Sequence, residues 1–367
     1  MRAVCVAGAR PNFMKVTPVL GALERSGAET VLVHTGQHYD TSMSGVFFRD
    51  LGTRPPDHHL EVGSGTHAEQ AGRVMTAFEP LVDALAPDVV VVVGDVNSTM
   101  ACAIVAAKAG ALVAHVEAGL RSRDWAMPEE VNRVVTDRVS DYLLAPSPDA
   151  VDNLLAEGYR DDQIHLVGNV MVDSLLANVD RARRRGTAAA LGLDPGNYGL
   201  VTLHRPANVD GPVLAGLVGA LAEVGAACPL VFPVHPRTRR YLQELPAAAN
   251  LRLVEPLGYL DFIDLEAGAR LVLTDSGGVQ EETTVLGVPC LTLRENTERP
   301  ITVTEGTNRV VGRDPAAIVA AARHVLEHGV EPRRPSLWDG KAGERIADVL
   351  LAPPTGRRPT DLPAPPA

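Results

Sequence analysis

The run Val89-Val90-Val91-Val92-Val93-Gly94-Asp95-Val96-Asn97-Ser98-Thr99-Met100 decides the fold. Five consecutive β-branched residues leave no polar face, so this strand is buried on both sides, as in a parallel sheet covered by helices. Five residues are also far too few to cross a bilayer. Gly94 and Asp95 end the run abruptly, and a carboxylate placed there stands at the carboxyl end of a central strand.

Working outward, short β-rich runs alternate with longer helix-patterned stretches, the mark of parallel α/β architecture. Toward the first end the strand candidates are Ala3–Ala7, Thr30–His34, Leu112–Val116, Tyr142–Ala145 and Ile164–Val167. Beyond them lie Leu200–Leu203, Leu230–Val234, Leu251–Val254, Leu271–Thr274, Cys290–Leu293 and Arg309–Val311. A chain of 367 residues with 46% hydrophobic content can fill two cores. We expect a first Rossmann-like domain over 1–170 and a second over 171–343, with a helix from Met171 to Arg185 and a hinge-like, Gly/Asp/Pro-rich stretch from Gly186 to Gly199. A terminal helix over 344–351 and a proline-rich, disordered tail over 352–367 complete the chain.

A formal charge of −11 argues against a nucleic-acid partner, because phosphate backbones recruit extended basic surface. Cys5, Cys102, Cys228 and Cys290 are far apart, lie in apolar surroundings and show no CxxC spacing, which reads as reduced core thiols in a cytoplasmic protein. The apolar start, Met1 to Gly8, precedes rather than follows its cations Arg10 and Lys15, so it is a strand and not a signal peptide. No stretch reads as a membrane segment.

In open parallel sheets, ligands bind beyond the carboxyl ends of the strands. Arg10 and Lys15, Asp95, Glu117, His204, His235 and Asp275 all fall at such ends. In Ser276-Gly277-Gly278-Val279-Gln280-Glu281-Glu282 the glycines let backbone approach a ligand, and the opening of a helix offers free amides and a positive dipole end to a phosphate. By itself this segment also reads as a serine cap on a tight turn. It is neither G-x-G-x-x-G nor G-x-x-x-x-G-K-[ST], which disfavours a dinucleotide enzyme or a P-loop NTPase.

Any one of Asp95, Glu117 and Glu129 alone reads as a cap or an ion-pair partner. Together, on three successive elements, they supply groups for acid and base work. Glu129 and Arg133 stand i, i+4 on one helix face, a spacing at which they can pair. His204 and His235 sit in strand-end turns, where a lone histidine is often structural. His34, His38, His58, His59, His67 and His115 show no HExxH or closed-site spacing, so no metal is expected.

At these residues the chain resembles the non-hydrolysing UDP-N-acetylglucosamine 2-epimerases. The resemblance is carried by ten pieces in order: AGARPNFMK (7–15), HTGQHYD (34–40), VVVGDVNSTMA (91–101), HVEAGLRS (115–122), PEEVNR (128–133), TLHRPANVD (202–210), PVHPR (233–237), TDSGGVQEE (274–282), LGVPCLTLRENTERP (286–300) and EGTN (305–308). It implies a glycosyltransferase-B-like α/β fold, two Rossmann-like domains facing a central cleft, with the terminal helix returning toward the first. It further implies acid/base roles for Asp95, Glu117 and Glu129, with Arg133 in support and His204 at the departing pyrophosphate. Arg10 and Lys15 would hold substrate, and His235, Ser276, Gly277, Gly278, Glu282 and Arg299 the UDP moiety, with the stretch from Leu257 to Phe262 around the uracil. No cofactor is implied; the implied partners are a UDP-sugar substrate and a second copy in a homodimer, with no nucleic acid and no membrane. The implied chemistry eliminates UDP across C1 and C2 to a 2-acetamidoglucal and adds it back with protonation from the opposite face. The chain departs from the family pattern at Ala207, Ile301 and Tyr39-Asp40-Thr41-Ser42. A hydrolysing 2-epimerase, a glycosyltransferase of the same architecture and a catalytically silent sugar-nucleotide binder are the competing readings.

Overall fold

A computed structural model of the chain describes residues 1–36, 50–210, 212–234, 236–243 and 250–352. The chain divides into two compact units. Unit 1 comprises Met1–Ser174 together with the chain from Ser336 onward, and unit 2 is Leu175–Pro335. The first division falls inside a helix, four residues past the expected boundary, and the second lies eight residues before the expected one.

Unit 1 is built on a seven-stranded parallel sheet in the order β3-β2-β1-β4-β5-β6-β7. Its strands are β1 (Arg2–Ala7), β2 (Glu29–His34), β3 (His58–His59), β4 (Val89–Val93), β5 (Leu112–Val116), β6 (Tyr142–Ala145) and β7 (Ile164–Leu166). Every residue of β4 is buried, as its unbroken valine run requires. The edge strand β3, only two residues long, carries no periodicity and escapes a reading by pattern. Connecting helices are α1 (Arg10–Arg25), α2 (His67–Leu85), α3 (Asn97–Lys108), α4 (Pro128–Val139), α5 (Pro148–Ala156) and α6 (Val170–Arg185). Thr66 caps α2 by accepting the Glu69 amide while Glu69 returns to the Thr66 amide at 3.0 Å, the reciprocal box expected of T-x-x-E.

Unit 2 repeats the plan with a six-stranded parallel sheet, β10-β9-β8-β11-β12-β13. Here β8 is Gly199–Thr202, β9 Leu230–Pro233, β10 Leu251–Val254, β11 Leu271–Thr274, β12 Cys290–Thr292 and β13 Asn308–Val310. Its longer helices include α7 (Val213–Ala227), α8 (Tyr259–Gly268), α9 (Gly277–Leu286) and α10 (Pro315–His328). The stretch from Gly186 to Gly199, read from composition as a hinge, is packed into this unit. Thr187–Ala190 form a helical turn whose Ala188 amide bonds Asp264 at 3.0 Å, and the buried Tyr198 donates to the Leu265 carbonyl at 2.6 Å. Glycine, aspartate and proline made the stretch look loose, but one aromatic and a few side-chain acceptors hold it.

In both sheets the strand order reverses direction once, between β1 and β4 and between β8 and β11. Loops diverge at such a switch point and leave a crevice beyond the strand ends. The four cysteines are buried and unpaired, and burial pushes the Cys5 thiol up to about 12. Among the described residues no helix is long and apolar enough to cross a membrane.

The last helix, α11 (Ala342–Leu351), packs on α1 within unit 1. Asp173 receives its first amides, Gly343 at 2.7 Å and Ala342 at 3.1 Å, and the buried Trp338 donates to the Pro146 carbonyl at 3.0 Å. A Cβ at Gly343 would lie 2.6 Å from the Pro18 carbonyl oxygen, so only glycine lets the two helices approach. Gly343→Val is expected to cost at least about 1–3 kcal/mol through overpacking and to lower Tm by several degrees in scanning calorimetry. An unchanged Tm would contradict this docking.

Candidate active site

In unit 1 the polar residues gather beside the β1/β4 switch. Asn12, in the first turn of α1, accepts the Gly8 and Ala9 amides at 3.2 and 2.8 Å and donates to the Val93 carbonyl at 3.0 Å. It thus ties the turn after β1 to the end of β4. Lys15, one turn further on, is buried, and its ammonium pairs with Glu117. Glu117 follows β5 with φ of +72°, a left-handed conformation rare for any residue but glycine. Its second oxygen, Oε1, is buried and has no hydrogen-bond partner among the described residues. Gly94, at φ +69°, closes the space between them: a Cβ there would lie 2.9 Å from Lys15 Nζ and 3.6 Å from Glu117 Oε2.

Asp95 is half-buried, and Arg133 of α4 pairs with it. The i, i+4 partnership expected between Glu129 and Arg133 does not form. The same guanidinium turns instead to Glu130 at 2.7 Å, at i, i+3. Glu130 is claimed by the preceding loop as well, accepting the Ser122 amide and hydroxyl at 2.9 Å each and the Arg123 amide at 2.8 Å. Glu129 is half-buried, and its side chain makes no hydrogen bond or ion pair among the described residues. Adjacent glutamates therefore differ in kind, one a buried anchor and the other open for chemistry. Lys15, Asp95, Glu117 and Arg133 come together here; Arg10 begins α1, but its side chain lies outside the described residues.

In unit 2 the site again sits at the switch, between β8 and β11. His204 Nδ1 pairs with Asp275 Oδ1 at 2.9 Å, while its side chain remains 58% exposed. Asp275, fully buried, also accepts the His204 amide at 3.1 Å, the Arg205 amide at 3.0 Å and Asn208 Nδ2 at 3.0 Å. Burial would raise this carboxyl, but the His204 ring and those amides hold it below the usual carboxylate range. The pairing leaves His204 Nε2 outward. Sequence noted Asp275 as a strand-end residue, yet nothing in its spacing from His204 announces the pair.

Ser276 stands at the N-cap of α9, but its side chain makes no capping bond. The serine-cap explanation is thereby removed. Gly277 is required by its neighbour: a Cβ there would lie 2.9 Å from Arg299 Cζ. Arg299 reaches Glu281 at 2.7 Å and lies 3.7 Å from Glu298. Glu298 is in turn gripped by Arg294 at 2.7 and 2.8 Å; against the cost of burial, these arginines drive its carboxyl far below the usual range. Leu257 and Phe262 pack, partly buried, on a core cluster of unit 2. His235 and the segment from Tyr39 to Ser42 lie outside the described residues. Among the described residues no group of three or more His, Cys, Asp and Glu side chains is placed to hold a metal ion.

Glu282 is buried and takes the Tyr259 hydroxyl at 3.3 Å. Burial pushes its carboxyl up to about 8, and burial beside Glu282 raises Glu266 well above its ordinary value. Neither oxygen of Glu266 has a hydrogen-bond partner among the described residues. Burial and the neighbouring Glu281 outweigh the Tyr259 bond, which favours the ionised form of Glu282, so these glutamates hold protons that a solvated pair would release.

The sequence profile described as UDP-N-acetylglucosamine 2-epimerase matches residues 21–351. The UDP-GlcNAc 2-epimerase of Methanocaldococcus jannaschii, solved in complex with UDP-GlcNAc and UDP, is 42% identical and superposes with a TM-score of 0.88 over 95% of this chain and 99% of its own. The Neisseria meningitidis UDP-GlcNAc 2-epimerase bound to UDP-GlcNAc has a TM-score of 0.89 at 28% identity, covering 96% of this chain and all of its own (100%). The UDP-2,3-diacetamido-2,3-dideoxy-D-glucuronate 2-epimerase of Pseudomonas aeruginosa is 41% identical over 95% of this chain and 99% of its own. These likenesses go with the glycosyltransferase-B-like class of two parallel α/β sheets.

Two outcomes follow from the geometry. Glu130→Gln should cost about 3 kcal/mol in chemical denaturation, because it unpairs a buried ion set, whereas Glu129→Gln should stay within about 0.5 kcal/mol of the parent. Equal effects would erase the distinction between the two. The second concerns pH: native Glu266 and Glu282 keep protons that the unfolded chain gives up near 4.5, so stability should fall as pH rises from there, with the Glu282 share lost by about 8. Glu266→Gln should flatten that slope in melts between pH 6 and 9; a slope unchanged in the variant would show that this pair is not its source.

Proposed function

The chain belongs to the UDP-N-acetylglucosamine 2-epimerase family, and from that premise we propose that it interconverts UDP-N-acetylglucosamine and UDP-N-acetylmannosamine without net hydrolysis. The observation that carries the proposal is the set of carboxylates in unit 1: Glu117 with one oxygen on Lys15 and the other left over, Asp95 on Arg133, and Glu129 unengaged. Inversion at C2 needs a proton removed from one face and returned to the other, so a single carboxylate does not suffice.

The C2 proton of an intact sugar is a poor acid, and elimination avoids the difficulty. One carboxylate takes that proton, its bonding pair forms the C1–C2 double bond, and the C1–O bond breaks with its pair leaving on the diphosphate. The products are 2-acetamidoglucal and UDP. In the return step a diphosphate oxygen attacks C1, and C2 takes a proton from a carboxylate on the opposite face. Asp95, Glu117 and Glu129 divide these transfers; Arg133 orients Asp95 and Lys15 orients Glu117. The residues of unit 2 hold what departs. His204, oriented by Asp275, donates toward the pyrophosphate, and the amides of Gly277 and Gly278 that open α9, with the Ser276 hydroxyl at its N-cap, suit a phosphate. Arg299 and His235 add cations, Glu282 accepts the ribose hydroxyls, and the stretch from Leu257 to Phe262 flanks the uracil. Arg10 joins in binding the sugar from α1.

A second substrate reading has specific support. The 41% identical Pseudomonas aeruginosa relative is named for a UDP-diacetamido-glucuronate, so the substituent at C3 and the group at C6 are where this chain's preference is open. Incubation with UDP-N-acetylglucosamine in D2O, followed by NMR, should give deuterium at C2 and a mixture of gluco and manno UDP-sugars. Accumulation of UDP with free N-acetylmannosamine would replace the reversible reaction by the hydrolysing one, and turnover of the diacetamido-glucuronate alone would move the substrate. Asp95→Asn, Glu117→Gln and Glu129→Gln should each lower turnover by about 10² or more. Near-normal rates in all three would remove the mechanism.

A further inference from the structure

His115 and Asp137 make contacts that the reaction above does not use. His115 stands in β5, two residues before Glu117, and is fully buried. Its Nδ1 lies 2.6 Å from Asp137 Oδ1, and its Nε2 lies 2.9 Å from the Gly94 carbonyl oxygen. A carboxylate and a carbonyl both accept, so the ring donates from both nitrogens. Asp137, fully buried on α4, uses its other oxygen to accept the Gly119 amide at 3.1 Å and to pair with Arg121 at 2.7 Å. Burial would raise this carboxyl, but the His115 ring and the Arg121 guanidinium hold it below the usual range.

We propose that His115 and Asp137 are a positioning pair for the epimerisation, fixing against one another the turn that carries Asp95, the turn that carries Glu117 and the helix that carries Glu129 and Arg133. The inference rests on those carboxylates being the acid/base groups. Its physical ground is the looseness of the residues that the pair grips. Gly94 immediately precedes Asp95 and Gly119 lies two residues after Glu117, with φ of +69° and +83°. Glycine offers no steric preference that would hold such turns, and at Gly94 a side chain would be strained at that φ and would meet Lys15 Nζ at 2.9 Å. Hydrogen bonds to their peptides must do the holding, and one imidazole between two elements supplies both ends of the link. Misplacing a reacting group by about 1 Å can cost on the order of 10²-fold in rate, so a fully buried pair with no access to substrate can still set turnover.

The two ring nitrogens can be imitated separately. His115→Asn keeps a donor where Nδ1 stood and loses the bond to Gly94; His115→Gln keeps the donor toward Gly94 and loses Asp137. For His115→Asn we expect kcat to fall about 10- to 100-fold while KM for UDP-N-acetylglucosamine and Kd for UDP stay within about twofold, and His115→Gln should recover part of the loss. Arg121→Gln serves as the control, since it weakens the same carboxylate while its other bonds go to Glu157 and to the Leu120 carbonyl, beyond the turn of Glu117 to Gly119: it should lower Tm with kcat within about twofold of the parent. A folded His115→Asn with the parent's kcat overturns the proposal. So does an Arg121→Gln variant that loses kcat equally at equal loss of stability, because a merely structural role would do that. If His115→Asn does not fold, Asp137→Asn is read by the same criteria. If neither folds, 15N-histidine spectra of the parent decide: a buried ring carrying protons on both nitrogens supports the pair, and one carrying a single proton overturns it. Undiminished turnover in Asp95→Asn and Glu117→Gln would instead remove the acid/base assignment itself, whereas their inactivity beside a fully active His115→Asn would remove only the positioning pair.

Discussion

The ion pair between Lys15 and Glu117 stands for a constraint that shapes the whole of unit 1. A carboxylate withdrawn from water loses several kcal/mol of solvation, and only cations and donors in good geometry return it. Unit 1 keeps Glu117, Glu130 and Asp137 almost wholly out of solvent and Asp95 partly so, and each has its cation: Lys15 for Glu117, Arg133 for both Asp95 and Glu130, and Arg121 for Asp137, beside the His115 ring. The pairs join elements distant in sequence. Arg133 bridges α4 to the turn after β4, and Lys15 bridges α1 to the turn after β5, so the interactions that make burial tolerable also set the crevice in register.

Unit 2 meets the same constraint in two opposite ways. Asp275 and Glu298 are surrounded by donors and cations and remain strongly acidic despite burial. Glu266 and Glu282 are buried just as deeply with little beyond one tyrosine hydroxyl, and they retain their protons instead. Burial alone therefore predicts neither state; the count of donors at each carboxyl does. A protonated Glu282 offers a donor as well as an acceptor, whereas an ionised Asp275 holds the ring of His204 by its Nδ1.

Much of this arrangement was legible in the amino-acid sequence, because it rests on periodicity. The valine run of β4, the alternation of short apolar runs with helical stretches, and the fall of Asp95, Glu117, His204 and Asp275 at strand ends are local patterns that tertiary packing has no reason to override. What escaped rests on choices between near-equivalent neighbours. Glu129 and Glu130 are both within reach of Arg133 on a helix, and the decision was made by the amides of Ser122 and Arg123, which no helical spacing encodes. Lys15 reads in the sequence as a substrate ligand, and its pairing with Glu117 is set by where α1 lies, which no spacing encodes. His115 could be weighed only as a metal ligand, since its partners come from α4 and from a backbone carbonyl in the turn after β4.

The left-handed backbone of Glu117 ties these strands of reasoning together. A residue with a Cβ pays roughly 1–2 kcal/mol to sit at positive φ, and glycine at the same place would relieve it. The surroundings hold the conformation in place: the Glu117 and Ala118 amides both reach the Leu144 carbonyl, at 3.2 and 3.3 Å, and Gly119 is locked by Asp137 two residues on. An ordinary extended continuation of β5 would carry the Glu117 side chain along the pleat, whereas the left-handed turn brings its carboxylate to Lys15 beside Gly94. The strain is intelligible if the carboxylate is needed at that point in space and glycine, which lacks one, is not an acceptable substitute. Glycine there would relieve the backbone but leave Lys15 buried without its partner, so the strained turn and the ion pair stand or fall together.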